Sequence, residues 1–488
     1  MSYCGYITTL NNVRKHPNAD RMKLADCFGN TVCVGLDAET GDRVIYFPTD
    51  GQLSVEYCAQ NDLVRRKDAA GNNCGGYLDP DKRNVRAINL RGEKSDGLVM
   101  PLESLEYTGV MAEDWSIGDT ITVVNGHEIC CKYIPRSNAR KDHSANGNKT
   151  RKRKDPIAPL FQEHVDTEQL AYNLSAFKPG DEIEITLKMH GTSQRTANLP
   201  VLTGYNDSGT CKLANAIRKM FGKDAIHDGD PVYEWGYTTG TRRVVLDSFD
   251  GGFYGSNEFR EQHSKFFEGK LWKGETVYYE VVGFTHTGTP IMASCDNKKI
   301  ADKEFMKQYG AQTVFSYGCD PKGCKAMHGI DNDGPFTLWV NVSQSDIYVY
   351  RMTMTNEDGQ VVEYTPDFMR YRCEQMGVKT VPVFYRGFIE AVEQENDEIE
   401  YRLVGKNATD MYGSESAGSL AMTMAECFYD GPDPVGRTHV REGVVVRIIN
   451  RPKFCAYKHK NHNFKVLEGI IKDEAAEPDM EEAQNVTE

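Results

Sequence analysis

No run of about 18 apolar residues occurs in this chain of 488, so no membrane-spanning helix is expected. The N-terminal stretch from Met1 to Leu10 lacks a basic region followed by an apolar core, which argues against a secretory signal and for a cytosolic protein. Dense cysteine spacing is also missing. The 14 cysteines are scattered, a pattern that a reducing compartment keeps as thiols rather than a disulfide framework. Cys319, Cys324 and His328 come nearest to a zinc set, but the Cys-x4-Cys spacing and the absent fourth ligand read as thiols in a loop. An overall positive charge is lacking too, since the formal net charge is -14. That would disfavour a nucleic-acid partner if it were spread evenly. It is not: residues 473–488 carry seven acids and no Lys or Arg, whereas residues 132–154 carry Lys132, Arg136, Arg140, Lys141, Lys149, Arg151, Lys152, Arg153 and Lys154 against the single acid Asp142. This basic segment reads equally as a phosphate-backbone contact or as a solvated linker.

What is present divides the chain into four parts. Residues 1–131 read as a small all-β unit, with short apolar runs at 31–36, 43–47, 85–90 and 120–124 separated by Gly, Asp and Asn turn residues. About five short strands suggest a barrel. Residues 132–160 read as a basic linker rich in Asn, Ser and Gly. Residues 161–472 read as one α+β domain with antiparallel sheets and flanking helices, and residues 473–488 as an acidic tail too poor in apolar residues to fold. Within the large domain a helix is expected from the capping pair Asp166 and Gln169 and the spacing of Leu170, Leu174 and Phe177, ending at Pro179 and Gly180. Further helical patterns cover 214–221, 257–267 and 366–376.

Lys94, Lys188 and Lys219 each precede a glycine by three residues. With 44 glycines in the chain, roughly one lysine in eleven does so by chance. Lys94 falls inside the β unit, and Lys219 lies on a helical pattern that leaves its amine in solvent. Lys188 ends an alternating stretch in which Ile183, Ile185 and Leu187 share one strand face and Glu184, Thr186 and Lys188 the other. A lysine amine is a poor nucleophile at neutral pH because its ordinary pKa is about 10.4, so neighbouring cations and desolvation must activate it. Downstream come Arg195, the pair Arg242 and Arg243, Glu280, Tyr348, Glu442, and the alternating Lys458 and Lys460. Taken singly, each reads as well as an ordinary sheet or surface residue; their order is what distinguishes them.

In that order, with His190 and Gly191 following Lys188, the set resembles the covalent nucleotidyltransferase superfamily of polynucleotide ligases and RNA capping enzymes. His190 in place of an acid, and the longer blocks from His190 to Thr196, Gly240 to Leu246, Gly252 to Arg260 and Tyr278 to Phe284, look like RNA ligases of the phage and bacterial group with an OB domain ahead of the catalytic one, the Deinococcus RNA ligase type. Lys15 to Met22 with Ile88 to Gly97 resembles the tRNA-binding type of OB-fold, which implies a nucleic-acid-binding front domain. Only 28 residues follow Lys460, too few for the OB domain that DNA ligases and capping enzymes carry there.

The resemblance implies an ATP-dependent enzyme that seals RNA 3'-hydroxyl and 5'-phosphate ends, with AMP carried on Lys188 and Mg2+ or Mn2+ as cofactor. It implies an ATP site of Lys188, His190, Gly191, Arg195, Arg242 or Arg243, Glu280, Tyr348 or Tyr350, Glu442, Lys458 and Lys460. Glu280 would hold the ribose hydroxyls, Tyr348 would stack on adenine, and Glu442 would place a hydrated metal. The expected partner is RNA, as a nicked duplex or an RNA/DNA hybrid, handled by a monomer in the cytoplasm, or the host cytoplasm if phage-encoded. Arg370, Arg372 and Arg386 are expected to complete the fold rather than touch RNA. A capping guanylyltransferase and an inactive RNA-binding relative remain the alternatives.

Overall fold

The computed structural model describes residues 3–28, 30–49, 51–67, 73–133, 155–250, 254, 257–292, 300, 302–310, 314–331, 334–393, 399–405, 411–412 and 416–468. The expected acidic tail, and the basic segment from residue 134 to 154, lie outside these. The chain divides into two units, one of residues 1–143, 298–312 and 462–488, the other of residues 144–297 and 313–461. Among the described residues no helix is long and apolar enough to cross a membrane.

The first unit is all-β with short helical turns, as its alternating runs require. Leu98–Pro101, Arg43–Phe47, Gly5–Thr9 and Thr120–Ile121 form an antiparallel sheet in that order, and Asn11–Lys15, Lys23–Cys27 and Asn30–Val34 form a meander. Ile7, Ile45, Phe47, Leu53, Tyr57 and Leu105 build its core. The expected strand over 85–90 is broken into Asn84–Val85 and Ala87–Leu90. No set of strand pairings among the described residues closes into a barrel; in place of the expected OB-like barrel the strands form separate small sheets. The two OB-like motifs do meet: buried His16 places Nε2 3.0 Å from the Leu90 carbonyl, and Asn18 Nδ2 donates to the Arg91 carbonyl at 2.9 Å.

Among the described residues the second unit holds sixteen strand segments, which we number in chain order: β1 Glu168–Gln169, β2 Glu182–Leu187, β3 Thr192–Tyr205, β4 Pro231–Gly240, β5 Val245–Leu246, β6 Glu275–Gly283, β7 Cys324–Asp331, β8 Gly334–Asn341, β9 Ser345–Thr355, β10 Val361–Glu363, β11 Lys379–Thr380, β12 Val383–Glu393, β13 Ile399–Gly405, β14 Met411–Tyr412, β15 Gly443–Ile448 and β16 Cys455–Lys460. One sheet has the order β1-β16-β15-β2-β12-β13-β14; the other runs β5-β4-β3-β6-β9-β10, with β11 beside β9. Pairing is antiparallel except for β1 with β16 and β11 with β9. Helices α1 Gly209–Met220, α2 Glu258–Phe266, α3 Pro366–Met376 and α4 Ala417–Glu426 complete the unit. α3 matches its expected span because Thr365 caps Phe368 N–H, Pro366 occupies the first turn and Gly377 ends it with positive φ. The expected helix from Asp166 is instead β1 followed by two short 3-10 turns, and Asp166 pairs with Arg242 and Arg243 rather than capping.

Strand alternation gives each sheet a dry side and an inner side. In the first sheet Ile183, Ile185, Val444 and Val446 pack with Leu420 and Ala421 of α4, which leaves Glu184, Thr186, Val445 and Arg447 on the opposite face. In the second, Val277, Tyr279, Val281, Ile347 and Val349 pack with Phe259, Met369 and Cys373, which leaves Tyr278 and Glu280 facing the other way. Glu184 was expected on a polar face, but β2 is central and the residue is buried. Its carboxylate is matched by Arg370 at 2.9 Å. Arg372 likewise ties fully buried Glu275 at 2.8 Å, and Arg386 ties Glu182 at 2.7 Å, so these arginines bind the fold together. Arg372→Met leaves Glu275 as an uncompensated buried charge. We expect a loss of about 3–5 kcal/mol, read as a lower urea midpoint, larger than for Arg243→Met, whose side chain is exposed.

Candidate active site

A pocket opens between the inner faces of the two sheets. Glu184, Thr186, Val445, Arg447 and Ala456 line it from one sheet and Glu280 and Tyr350 from the other, with Lys188 and Met189 at the turn that joins them. β2 ends at Leu187, and its sheet partner β15 carries Glu442 just before its first residue. The Lys188 N–H donates to the Gly443 carbonyl at 3.0 Å, and Gly443 pairs with Lys460 across β15 and β16. Main-chain bonds therefore bring three charged side chains to one point.

Glu442 lies at that point, buried, with Oε1 2.6 Å from Lys188 Nζ and 3.4 Å from Lys460 Nζ, and Oε2 3.7 Å from His190 Nδ1. Burial pushes its carboxyl up, but Lys188, Lys460 and His190 together outweigh burial and hold it well below the usual carboxylate range. His190 is itself locked: its N–H donates to Tyr317 Oη at 2.7 Å, and Nε2 lies 3.2 Å from the Met292 carbonyl. Gly191 then lets the chain cross to the second sheet. A Cβ there would lie 2.3 Å from the Val281 carbonyl oxygen and 2.9 Å from Glu280 Cγ, so no larger residue fits without moving Glu280.

Glu280 sits on β6 opposite Ser193 of β3 and Tyr348 of β9. Burial, with Glu442 adding to it against the opposing pull of Lys188, raises its carboxyl to about 7. The two site carboxylates thus differ, one firmly ionised and the other near half-protonated at neutral pH.

The pocket selects between the two tyrosines. A register shift in β9 pairs Tyr278 with Arg351 but Tyr279 with Val349, leaving Tyr350 as the extra residue of a bulge. Tyr350 lines the pocket with its hydroxyl 2.8 Å from Ser193 Oγ, whereas Tyr348 is buried outside the lining with its hydroxyl 3.4 Å from Asp346. Arg242 lines the pocket and pairs with Asp166 at 2.9 Å; Arg243 holds the other oxygen of Asp166 at 2.9 Å and stays outside. Arg195 was expected to reach the nucleotide, yet its buried guanidinium bonds the carbonyls of Thr241, Phe161 and Gln162 and stacks 4.0 Å from the Phe161 ring, away from the lining. Lys458 shares the strand face of Ala456 and Lys460 and is half-buried. Lys94 lies in the first unit, on Glu93–Asp96, and Lys219 lies exposed on α1, outside the pocket lining. The three candidate zinc residues form no ligand group among the described residues: Cys324 opens β7 and His328 lies four residues along it.

Sequence reasoning missed His164. It lines the pocket among Tyr278, Tyr350 and Phe454, and its Nδ1 has no hydrogen-bond partner among the described residues. Burial first, then Arg351 and Arg242, push its pKa down to about 3, so the ring is neutral at pH 7. No motif marks it, because it sits in irregular chain before β1 and reaches the pocket through its N–H bond to the Arg242 carbonyl at 3.1 Å.

No protein-family model matches this sequence, and no curated protein does. Solved structures do resemble the fold. A Naegleria gruberi RNA ligase, as an arginine-to-alanine variant with ATP and Mn, superposes with a TM-score of 0.51 at 14% identity, covering 96% of this chain and 99% of that one. A glutamate-to-alanine variant of the same ligase, also with ATP and Mn, gives 0.51 at 15% identity over 95% and 98%. At this identity the likeness concerns the fold: a mixed α/β architecture of mostly antiparallel sheets, as in an RNA ligase.

The raised Glu280 carboxyl fixes the sign of a pH effect. Its folded value of about 7 lies above the ordinary value of 4.5, so ionisation costs stability: nothing below about pH 4.5, increasingly up to pH 7, and fully above. Glu280→Gln should therefore raise Tm relative to wild type at pH 8 but not at pH 4.5. A Tm difference that stays flat across that range, followed by scanning fluorimetry, would contradict the assignment.

Proposed function

We propose that this protein is an ATP-dependent RNA ligase that forms a lysyl-AMP on Lys188 and seals RNA ends, acting on nicks in duplexes. The observation that carries this reading is Lys188 held against Glu442 beside Lys460, at the mouth of an inter-sheet pocket, in a fold that resembles an RNA ligase. In the first step the Lys188 amine attacks the α-phosphorus of ATP and expels pyrophosphate. AMP then passes from Lys188 to the RNA 5'-phosphate, and a 3'-hydroxyl displaces AMP as the phosphodiester forms.

The residues suggest how this proceeds. Glu442 orients the amine but, being held in its ionised form, does not store the lysine proton, which must leave with solvent or pyrophosphate. Lys460 and Arg242 bring positive charge to the site and suit the growing charge on the phosphates. Tyr350, in the lining, is the better placed tyrosine to face adenine, and neutral His164 offers a donor and an acceptor beside it. The Glu442 carboxylate fits a hard divalent cation, Mg2+ or Mn2+, which would neutralise the triphosphate when bound. Glu442 would hold it through water, and Glu280 would contact the ribose hydroxyls. Residues 1–131 would grip the nucleic acid, residues 132–160 would link them to the catalytic domain of residues 161–472, and the chain would belong with the ligases that carry an OB domain in front.

Incubation with a divalent cation and ATP or GTP labelled at the α-phosphate tests this directly. Label from ATP should remain on the denatured chain and vanish in Lys188→Ala. Preference for GTP would indicate a capping enzyme, and no label from either an inactive binder. In a second assay, nicked duplexes with an RNA 3'-hydroxyl strand should seal; equal sealing of all-DNA nicks would sink the RNA assignment.

A further inference from the structure

We propose, resting on the ligase reading above, that Tyr317 is a positioning residue for lysyl-AMP formation, whose hydroxyl holds the main chain of His190 so that Glu442 faces the Lys188 amine. The backbone is the first sign that this side chain matters. Residues 316–319 form a tight turn closed by the Cys319 N–H, which donates to the Ser316 carbonyl at 2.9 Å, with φ of 49° at Tyr317 and 81° at Gly318. Positive φ at both central residues is the pattern of a type I′ turn, for which Asn or Gly is preferred at the first of them. A bulky aromatic residue crowds its own backbone there. Turn geometry alone would not select tyrosine, so the strain is met by what the ring and hydroxyl touch.

The turn is anchored to the second sheet, so it can hold something else in place. The Asp320 N–H donates to the Ser343 carbonyl at 3.1 Å, and a Cβ on Gly283, the last residue of β6, would lie 2.8 Å from Cys319 Cβ. From this one segment two buried rings reach His190. Phe315 packs edge-on against the imidazole with ring centroids 4.8 Å apart, and Tyr317 Oη accepts the His190 N–H at 2.7 Å. Buried His439 completes the packing, its ring centroid 4.7 Å from those of both Phe315 and Tyr317.

His190 lies in the link of residues 188–191 that joins β2 to β3. Within it the Lys188 N–H goes to the Gly443 carbonyl and the His190 N–H to Tyr317, so the hydroxyl serves the middle of the link as a main-chain carbonyl serves its start. Deleting the hydroxyl removes that buried acceptor, and the link must shift to find another. The shift passes directly to the site, because His190 Nδ1 stands 3.7 Å from one Glu442 oxygen and the other lies 2.6 Å from Lys188 Nζ. Tyr317 is not part of the pocket lining, so it acts through His190 rather than on ATP. Nor does it take the lysine proton. Burial first, then Asp433, Glu442 and Glu280, outweigh the His190 N–H and push its pKa well above the ordinary tyrosine value, so the hydroxyl stays protonated.

The test compares full-length Tyr317→Phe with wild type and with Tyr364→Phe, which deletes another buried hydroxyl of the same unit, the one 3.0 Å from Glu275 Oε1. Two readouts are taken: the urea midpoint, and the single-turnover rate at which ATP labelled at the α-phosphate, with Mn2+, labels Lys188 over a range of ATP concentrations. Tyr317→Phe should lower the maximal labelling rate about tenfold and leave the half-saturating ATP concentration within about twofold of wild type. Tyr364→Phe should lower the urea midpoint and keep the maximal rate. Phe315→Leu, which loosens the packing on the same imidazole, should lower the maximal rate in the same pattern, and it carries the decision if Tyr317→Phe does not fold. A maximal rate for Tyr317→Phe within about twofold of wild type would overturn the proposal. So would a change confined to the half-saturating ATP concentration, or an equal loss of rate in Tyr364→Phe, which would make the effect one of stability. A wild-type chain that takes no label from any nucleotide would instead sink the ligase reading.

Discussion

A buried carboxylate among cations organises the second unit. Glu442 is placed where burial alone would make ionisation costly, and only Lys188, Lys460 and His190 around it make the charge tolerable. Those partners come from separate parts of the chain, yet the main chain leaves them little freedom: Lys188 is bonded through its N–H to Gly443, and Gly443 pairs with Lys460. The cluster therefore depends on β2, β15 and β16 being neighbours. Because two lysines oppose one ionised carboxylate and a half-protonated Glu280, the site carries a surplus of positive charge, which suits a polyphosphate.

The inner faces of both sheets extend the same logic. Strand alternation sends the aliphatic residues outward against the helices and forces the polar ones between the sheets, where each must find a partner. Glu184 finds Arg370, and Glu363 finds Arg351 at 2.9 Å and Arg447 at 3.6 Å. Pairing is incomplete in the pocket lining: the His164 Nδ1 and Arg447 Nε have no hydrogen-bond partner among the described residues, and both side chains line it.

Much of this was legible beforehand. The alternation around Lys188 and the span of α3 are local properties, and the strand end and the helix follow from them, whereas a site holding Lys188, Glu442 and Lys460 together was expected from the family resemblance alone. The misread segment after Asp166 shows the limit. Its helical spacing was real, but Asp166 is drawn to Arg242 and Arg243, and Glu168 pairs with Tyr457, so distant partners outweighed local propensity. The expected barrel failed similarly: short strands were recognised, but which edges pair is not encoded in a strand's own pattern.

By itself, then, the sequence determined which residues carry charge, the span of the helix from Pro366 to Met376, and that Lys188 rather than Lys94 or Lys219 follows a strand with the right followers. Tertiary structure alone decided that Tyr350 and not Tyr348 enters the pocket, that Arg195 serves the backbone, and that His164 joins the site. The physical reason is range. Alternation and capping act over a few residues, whereas a bulge in β9, a guanidinium's choice of carbonyls and a histidine carried in from irregular chain depend on partners dozens or hundreds of positions away.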